Sequence, residues 1–324
     1  MYKVRNWSAY NTSLKKKGDV FFYFDKALLK NNWYFSSKRK PGGVVKYGDA
    51  VIEMMLAVRF IYRLPLRQTE GFVKSIIEGI GAKVDVPDYT TVCRRMSKLS
   101  DRVKLFKQIN DSEALHVLID SSGVSIYTAT PNHVSKYRKD RISKNGKSWK
   151  KIHVLFDLKT AQAITQNVTG VHVQDQQAVP SLIEKCPYKI ETLRADKAYD
   201  KRNCFRLLYA HGIKPIIPTI KTANIQKAGT ACRPYEEAIR PRDDVITYIK
   251  NFGSYEEGLK AWYKESDYHQ RSRIEVFFSR YKRTFGYWIA SQKSQNRSVE
   301  IATKLGILNK AQQLETAKYE RIEI

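Results

Sequence analysis

The chain has 324 residues, and 58 Lys and Arg against 32 Asp and Glu give it a formal net charge of +26. Its hydrophobic share of 42% is enough to bury a core, which excludes a wholly disordered basic tail, and the positive field selects polyanionic partners over cationic ones. The longest apolar stretch, Met54 to Leu66, is cut by Arg59 and Arg63 and falls short of the roughly 20 apolar residues a membrane span needs.

No secretory signal core is visible in the first residues, and Cys93, Cys186, Cys204 and Cys232 form no C-x-x-C pair. A reducing, cytoplasmic and nucleoid-associated setting without membrane contact is expected. Any metal would be held by carboxylates, because the six histidines are scattered.

In chain order, residues 1–50 read as a basic arm, with 11 Lys and Arg interleaved with aromatics. Val51, Met54, Met55, Ala57, Val58 and Ile61 recur at helical spacing and predict a helix over 49–63. A second helix follows over 67–77, ended by Gly79 and Gly81, and a third opens at Pro87 or Asp88 and carries Arg94 and Arg95. Two readings stay open for this pattern: a helix-turn-helix-like DNA-binding region over residues 1–105, with Arg94 and Arg95 on DNA, or an ordinary helical bundle.

From about residue 106 the period changes. Leu115–Asp120 and Val124–Tyr127 predict two strands joined by a tight turn at Ser121-Ser122-Gly123. Lys136–Lys151 carries eight basic residues against Asp140 alone and is expected to be an exposed loop on the DNA backbone, with Lys147, Lys150 and Lys151 as contacts. Strands over 152–156, 190–195 and 213–217 alternate with helices over 175–185 and 202–211. Residues 219–261 show little periodicity and read as an insertion, a long helix follows over 267–282, and an amphipathic helical tail occupies 289–324. The order matches an α/β, ribonuclease H-like core over 106–288, built on a mixed five-stranded sheet.

In such a core, Asp120 on the first strand, Asp196 past the fourth and Glu275 on the last helix can converge, although 76 and 79 residues separate them. Asp120 ends an apolar run, where an uncompensated carboxylate is costly. Asp200 is a rival for Asp196, and Asp157 reads as a strand-end residue. Three clustered carboxylates need a cation, and with no His or Cys beside them they select Mg²⁺, with Mn²⁺ able to substitute. At about 100° per residue Tyr268, Arg271 and Lys282 share a helical stripe with Glu275, which suits either phosphate binding beside a metal or a plain Arg271–Glu275 surface pair.

The spacing Tyr268, Arg271, Glu275, Lys282 resembles the Y-(2)-R-(3)-E-(6)-K signature of insertion-sequence transposases of the DDE class. Leu64–Gly71, Pro87–Thr91, Ile119–Gly123 and Ala195–Asp200 are similar to that family's other strings, in the same order, and point to the branch numbered five among bacterial insertion sequences, related to the branch numbered four. The resemblance implies that Asp120, Asp196 and Glu275 hold two Mg²⁺ ions, that Tyr268, Arg271 and Lys282 hold DNA, and that the 3′-hydroxyl of the element is joined to target DNA. Its partners would be terminal inverted repeats, target DNA and at least one further copy of the chain. A non-catalytic DNA-binding regulator, or an inactive transposase remnant, is the alternative. The neighbouring branch has a large β-rich insertion before its last Glu, so its hairpin pathway does not carry over to the short segment here. Trp262, at the edge of that segment, suits either a flipped base or the core.

Overall fold

The computed structural model describes residues 2–35, 45–110, 113–126, 149–226 and 235–321. The chain divides into two compact units, residues 1–106 with 283–324, and residues 107–282. Among the described residues no helix is long and apolar enough to cross a membrane.

The first unit opens with β1 (Tyr2–Val4), α1 (Trp7–Gly18) and α2 (Val20–Tyr23), so the basic arm is largely helical up to Leu29. Its centre is α3 (Asp49–Ile61), which buries Val51, Ile52, Met54, Met55, Leu56, Val58 and Phe60 and is therefore covered on most sides. The entry to α3 is tight: a Cβ on Gly48 would collide with the Asn32 carbonyl oxygen. α4 (Leu66–Gly79) buries one stripe of Thr69, Val73 and Ile77 at four-residue spacing. α5 (Tyr89–Met96) starts at Asp88, which accepts from the amides of Thr90 and Thr91 at 2.9 and 3.0 Å. The Thr90 and Thr91 hydroxyls, with those amides, hold the Asp88 carboxyl well below the usual carboxylate range. Glu70 on α4 accepts from the Tyr89 amide at 2.8 Å, which ties the two helices together across residues 80–88.

The second unit holds β2 (Leu115–Ile126), β3 (Trp149–Asp157), β4 (Ala163–Gly170), α6 (Val179–Glu184), β5 (Ile190–Arg194), α7 (Arg202–Ala210) and β6 (Lys214–Ile216). These strands lie in the order β4-β3-β2-β5-β6. β3 runs antiparallel to β2 and β4, while β5 is parallel to β2 and to β6. That order and those directions are the ribonuclease H-like arrangement.

Two strand expectations are corrected. Ser121-Ser122-Gly123 is no turn: β2 passes through it without a break, paired with β3 from Val117 with Asp157 to Ser125 with Trp149. Small polar residues imitate a turn in composition, but the buried Val124 and Ile126 beyond them keep the strand on the core. β4 is the strand the periodicity misses, because its buried residues include Thr165 and Gln166; the Thr165 hydroxyl donates to the Leu182 carbonyl at 3.0 Å.

The stretch expected to be an irregular insertion contains α8 (Arg240–Lys250) and α9 (Tyr255–Glu265). Val245, Ile249, Leu259 and Trp262 pack with Ile216 of β6 in one cluster, so Trp262 is a core residue. The helices approach so closely that a Cβ on Gly258 would run into the Ile249 backbone. Residues 227–234 lie outside the described ones. The expected long helix begins later than its pattern suggests: Tyr268–Arg271 form a 3-10 turn, and α10 spans Ser272–Phe285.

The last helix, α11 (Ser294–Ala311), returns to the first unit and is buried around its girth rather than amphipathic. Its Glu300 and Lys304 are 0% and 2% exposed and pair at 2.6 Å. Glu300 also accepts from the amides of Ala290 and Ser291, at 3.0 and 2.8 Å, so the buried charges are satisfied. The terminal strand Tyr319–Arg321 pairs antiparallel with β1.

Candidate active site

The site is assembled by the parallel pairing of β2 and β5. Leu118 lies opposite Arg194, and since side chains alternate along a strand, the residues two further on, Asp120 and Asp196, project from the same face at neighbouring positions. Asp120 stands mid-strand and accepts from the Ser121 amide at 2.8 Å. Asp196 follows β5 and begins the 3-10 turn Lys197–Tyr199, accepting from the Ala198 amide at 2.9 Å. Glu275 comes from the first turn of α10, whose Ile274, Phe277, Phe278 and Tyr281 are buried, with Phe277 against Phe156 of β3 at 5.2 Å between ring centres.

One side chain touches all three acids. Arg271 reaches Asp120 at 3.2 Å and Asp196 at 3.7 Å through Nη2, and Glu275 at 2.5 Å through Nη1. Its Nε is buried without a hydrogen-bond partner. The side chains grade outward, from 16% exposed for Asp120 through 37% for Asp196 to 58% for Glu275. Burial raises the Asp120 carboxyl from 3.8 to about 6; Arg271 opposes the shift, and the like charges of Asp196 and Glu275 add to it.

Three carboxylates against one guanidinium leave the cluster short of positive charge. Oxygen-only donors with no imidazole or thiolate suit hard divalent ions, so the residues fit Mg²⁺ or Mn²⁺ by donor chemistry. As the side chains stand, with Arg271 among them, no three His, Cys, Asp or Glu among the described residues are spaced to share one metal ion.

The rival acids are engaged elsewhere. Asp200 is buried, paired with Arg242 Nε at 2.6 Å, and accepts from the Ile220 amide at 3.0 Å. Asp157 accepts from the amide and hydroxyl of Thr160 in the turn between β3 and β4.

Of the expected DNA contacts, Tyr268 stacks on Tyr263 with ring centres 4.5 Å apart, and burial raises its hydroxyl well above the usual range. Lys282 is half-buried on α10. Lys150 lies opposite Val124, on the face of the sheet that carries Asp120, whereas Lys151 points to the other face and bonds Asp175 at 3.0 Å. Lys147 and the rest of 136–148 lie outside the described residues. In the first unit Arg94 is exposed, but Arg95 is held in the fold, donating to the Tyr47 carbonyl at 3.0 Å and pairing with Asp49.

A feature the sequence reading missed is a groove of about 970 Å³ lined by His116, Arg194, Lys214, Trp262, Gln270 and Arg273, on strands of the acid-bearing face and the turn that carries Arg271. Its one early signal was the alternation that puts Thr192 and Arg194 in line with Asp196.

Residues 111–309, which contain all three acids, match the profile of a family described as Transposase DDE domain, and residues 15–129 match a second profile of the same description. Among solved structures, a piggyBac transposase synaptic complex with hairpin DNA aligns with 90% of this chain and 74% of that chain at 9% identity, with a TM-score of 0.36.

Proposed function

The chain belongs to the DDE transposase family, and we propose that it cuts DNA at the ends of an insertion sequence and joins the freed 3′-hydroxyl to target DNA. The observation that carries this reading is the meeting of Asp120, Asp196 and Glu275 around one guanidinium, from positions far apart along the chain. These acids would hold two Mg²⁺ ions, and Mn²⁺ would substitute. Loaded, such a site supplies Lewis-acid activation of the attacking oxygen and charge stabilisation at the leaving one. The side chains do the rest: Asp120 and Asp196 fix the rigid side of the site from the sheet, and the exposed Glu275 closes it from α10. Arg271 and Lys282 would hold phosphate oxygens, the first through its planar fork and the second as a compact charge.

The branch numbered five is the assignment favoured by the Tyr268, Arg271, Glu275, Lys282 spacing. Residues 1–105, with their exposed Arg94, are proposed to recognise the terminal inverted repeats, and pairing two ends calls for at least two copies of the chain.

The test is nicking of supercoiled plasmid carrying the element's ends, in Mg²⁺. Asp120→Asn, Asp196→Asn and Glu275→Gln should each abolish cleavage and leave DNA binding in place. Cleavage near the wild-type rate by any one of them would remove that residue from the site. Binding without cleavage by the wild-type chain would favour the regulator.

A further inference from the structure

We propose that Arg271 is an internal counter-ion that keeps divalent cations off Asp120, Asp196 and Glu275 until a DNA phosphate draws the guanidinium away, so that DNA binding and metal loading are coupled. The inference rests on the transposase reading above and concerns how that site is switched on.

The first support is geometric. Arg271 holds one oxygen of each acid, Oδ2 of Asp120, Oδ2 of Asp196 and Oε1 of Glu275, while Oδ1 of each aspartate already accepts from a backbone amide, of Ser121 and of Ala198. Arginine stays protonated at any pH a folded protein meets, so these contacts are released by movement or by a competing anion, never by loss of a proton.

The second is charge. One positive group among three negative ones reduces their mutual repulsion enough for the acids to converge without metal, yet leaves the cluster attractive to further cations. Arg271 therefore competes with metal for the same oxygens and does not complete the site.

The third is where Arg271 sits. It ends the 3-10 turn Tyr268–Arg271, ahead of the packed body of α10, and the turn is entered through Asp267 in the left-handed region at φ 53°. Its side chain is 17% exposed and its Nε has no hydrogen-bond partner, so the fork is incompletely satisfied where it rests. A phosphate accepts two parallel N–H groups from such a fork, which a row of single contacts to separate carboxylates does not match. Asp196 and Glu275 are the more exposed acids, so the exchange has an open side.

Coupling of this kind is reciprocal: if DNA raises affinity for the metal, the metal raises affinity for DNA by the same factor, typically about 5- to 150-fold. The experiment titrates Mn²⁺ into the full-length protein and reads the free ion by electron paramagnetic resonance, with and without a short duplex ending in the terminal repeat. A triple Asp120→Asn, Asp196→Asn, Glu275→Gln variant is the blank for ions held by DNA or elsewhere. The wild type should bind Mn²⁺ weakly alone and roughly 5- to 150-fold more tightly with the duplex. Arg271→Gln should bind Mn²⁺ without DNA about as well as the wild type does with it, and gain little more when DNA is added. A merely structural Arg271 would give the opposite sign, a loss of metal affinity on substitution. Equal Mn²⁺ affinity of the wild type with and without DNA overturns the proposal, and so does an Arg271→Gln variant that keeps the full DNA-dependent gain. The wild-type comparison decides the matter even if Arg271→Gln fails to fold. A wild type indistinguishable from the blank under both conditions points elsewhere, to failure of the three acids as the metal site.

Discussion

Asp120 and Asp196 stand side by side because their strands run parallel in a register that pairs Leu118 with Arg194. Burial, with the neighbouring acids, lifts the Asp120 carboxyl from 3.8 to about 6 despite Arg271. The folded chain thus holds that proton more tightly than the unfolded chain. Its contribution to stability is complete below about pH 4 and is lost as pH rises through about 6. In metal-free buffer Asp120→Asn should be more stable than the wild type at pH 7.5, by on the order of 1–3 kcal/mol, and the gain should vanish by pH 4. Urea denaturation at the two pH values checks this; a gain that is equal at both would mean the carboxyl is not raised in this way.

Asp200 and Arg242 form a buried pair, with side chains 0% and 9% exposed. Asp200→Asn leaves Arg242 charged and short of its partner, at a cost of about 3–5 kcal/mol. Loss of activity in this variant should therefore follow loss of fold, with a lower urea midpoint, and low temperature should restore cleavage. A normally stable variant that cannot cleave would return Asp200 to the list of metal ligands. A buried partner 42 residues away leaves no trace in the local sequence pattern around Asp200.

Arg94 and Arg95 are adjacent, yet they should behave differently. Arg94→Ala should keep the wild-type melting temperature and weaken end binding by about 1–3 kcal/mol. Arg95→Ala removes the contacts to Tyr47 and Asp49 and should lower the melting temperature. Thermal denaturation beside a binding titration separates the two. Equal effects on both readouts would mean that the helix acts as one charged surface.

Gly258 allows α9 to lie against the Ile249 backbone of α8. Gly258→Ala should force the helices apart and destabilise the second unit by about 1–3 kcal/mol, even though alanine is the better helix former. Increased hydrogen exchange in α8 and α9 would report the loosening, and Trp262 fluorescence should shift to the red. A stabilised variant would show that the helices separate without cost.

Residue type and spacing alone were enough to nominate the three acids and to bound the DDE reading. A carboxylate after a buried strand is rare without a use, and Tyr268, Arg271, Glu275 and Lys282 carry a specific pattern. The helices α3, α4 and α5 were equally legible, because apolar period, Gly79 and the Asp88 cap are local signals. Structure was needed wherever a residue's meaning depends on a distant partner. Ser121-Ser122-Gly123 became strand because β3 pairs with it, and β4 escaped notice because neighbouring elements satisfy its buried polar side chains. Glu300 and Lys304 became core residues of the first unit because each neutralises the other. Arg271 shows the same limit at the site: its spacing suited either a phosphate contact or a pair with Glu275, and the fold sets it against Asp120 and Asp196 as well. Hydrophobic period and capping are written within a few residues, but the compensation of a buried charge is decided by whatever the folded chain brings within about 4 Å of it.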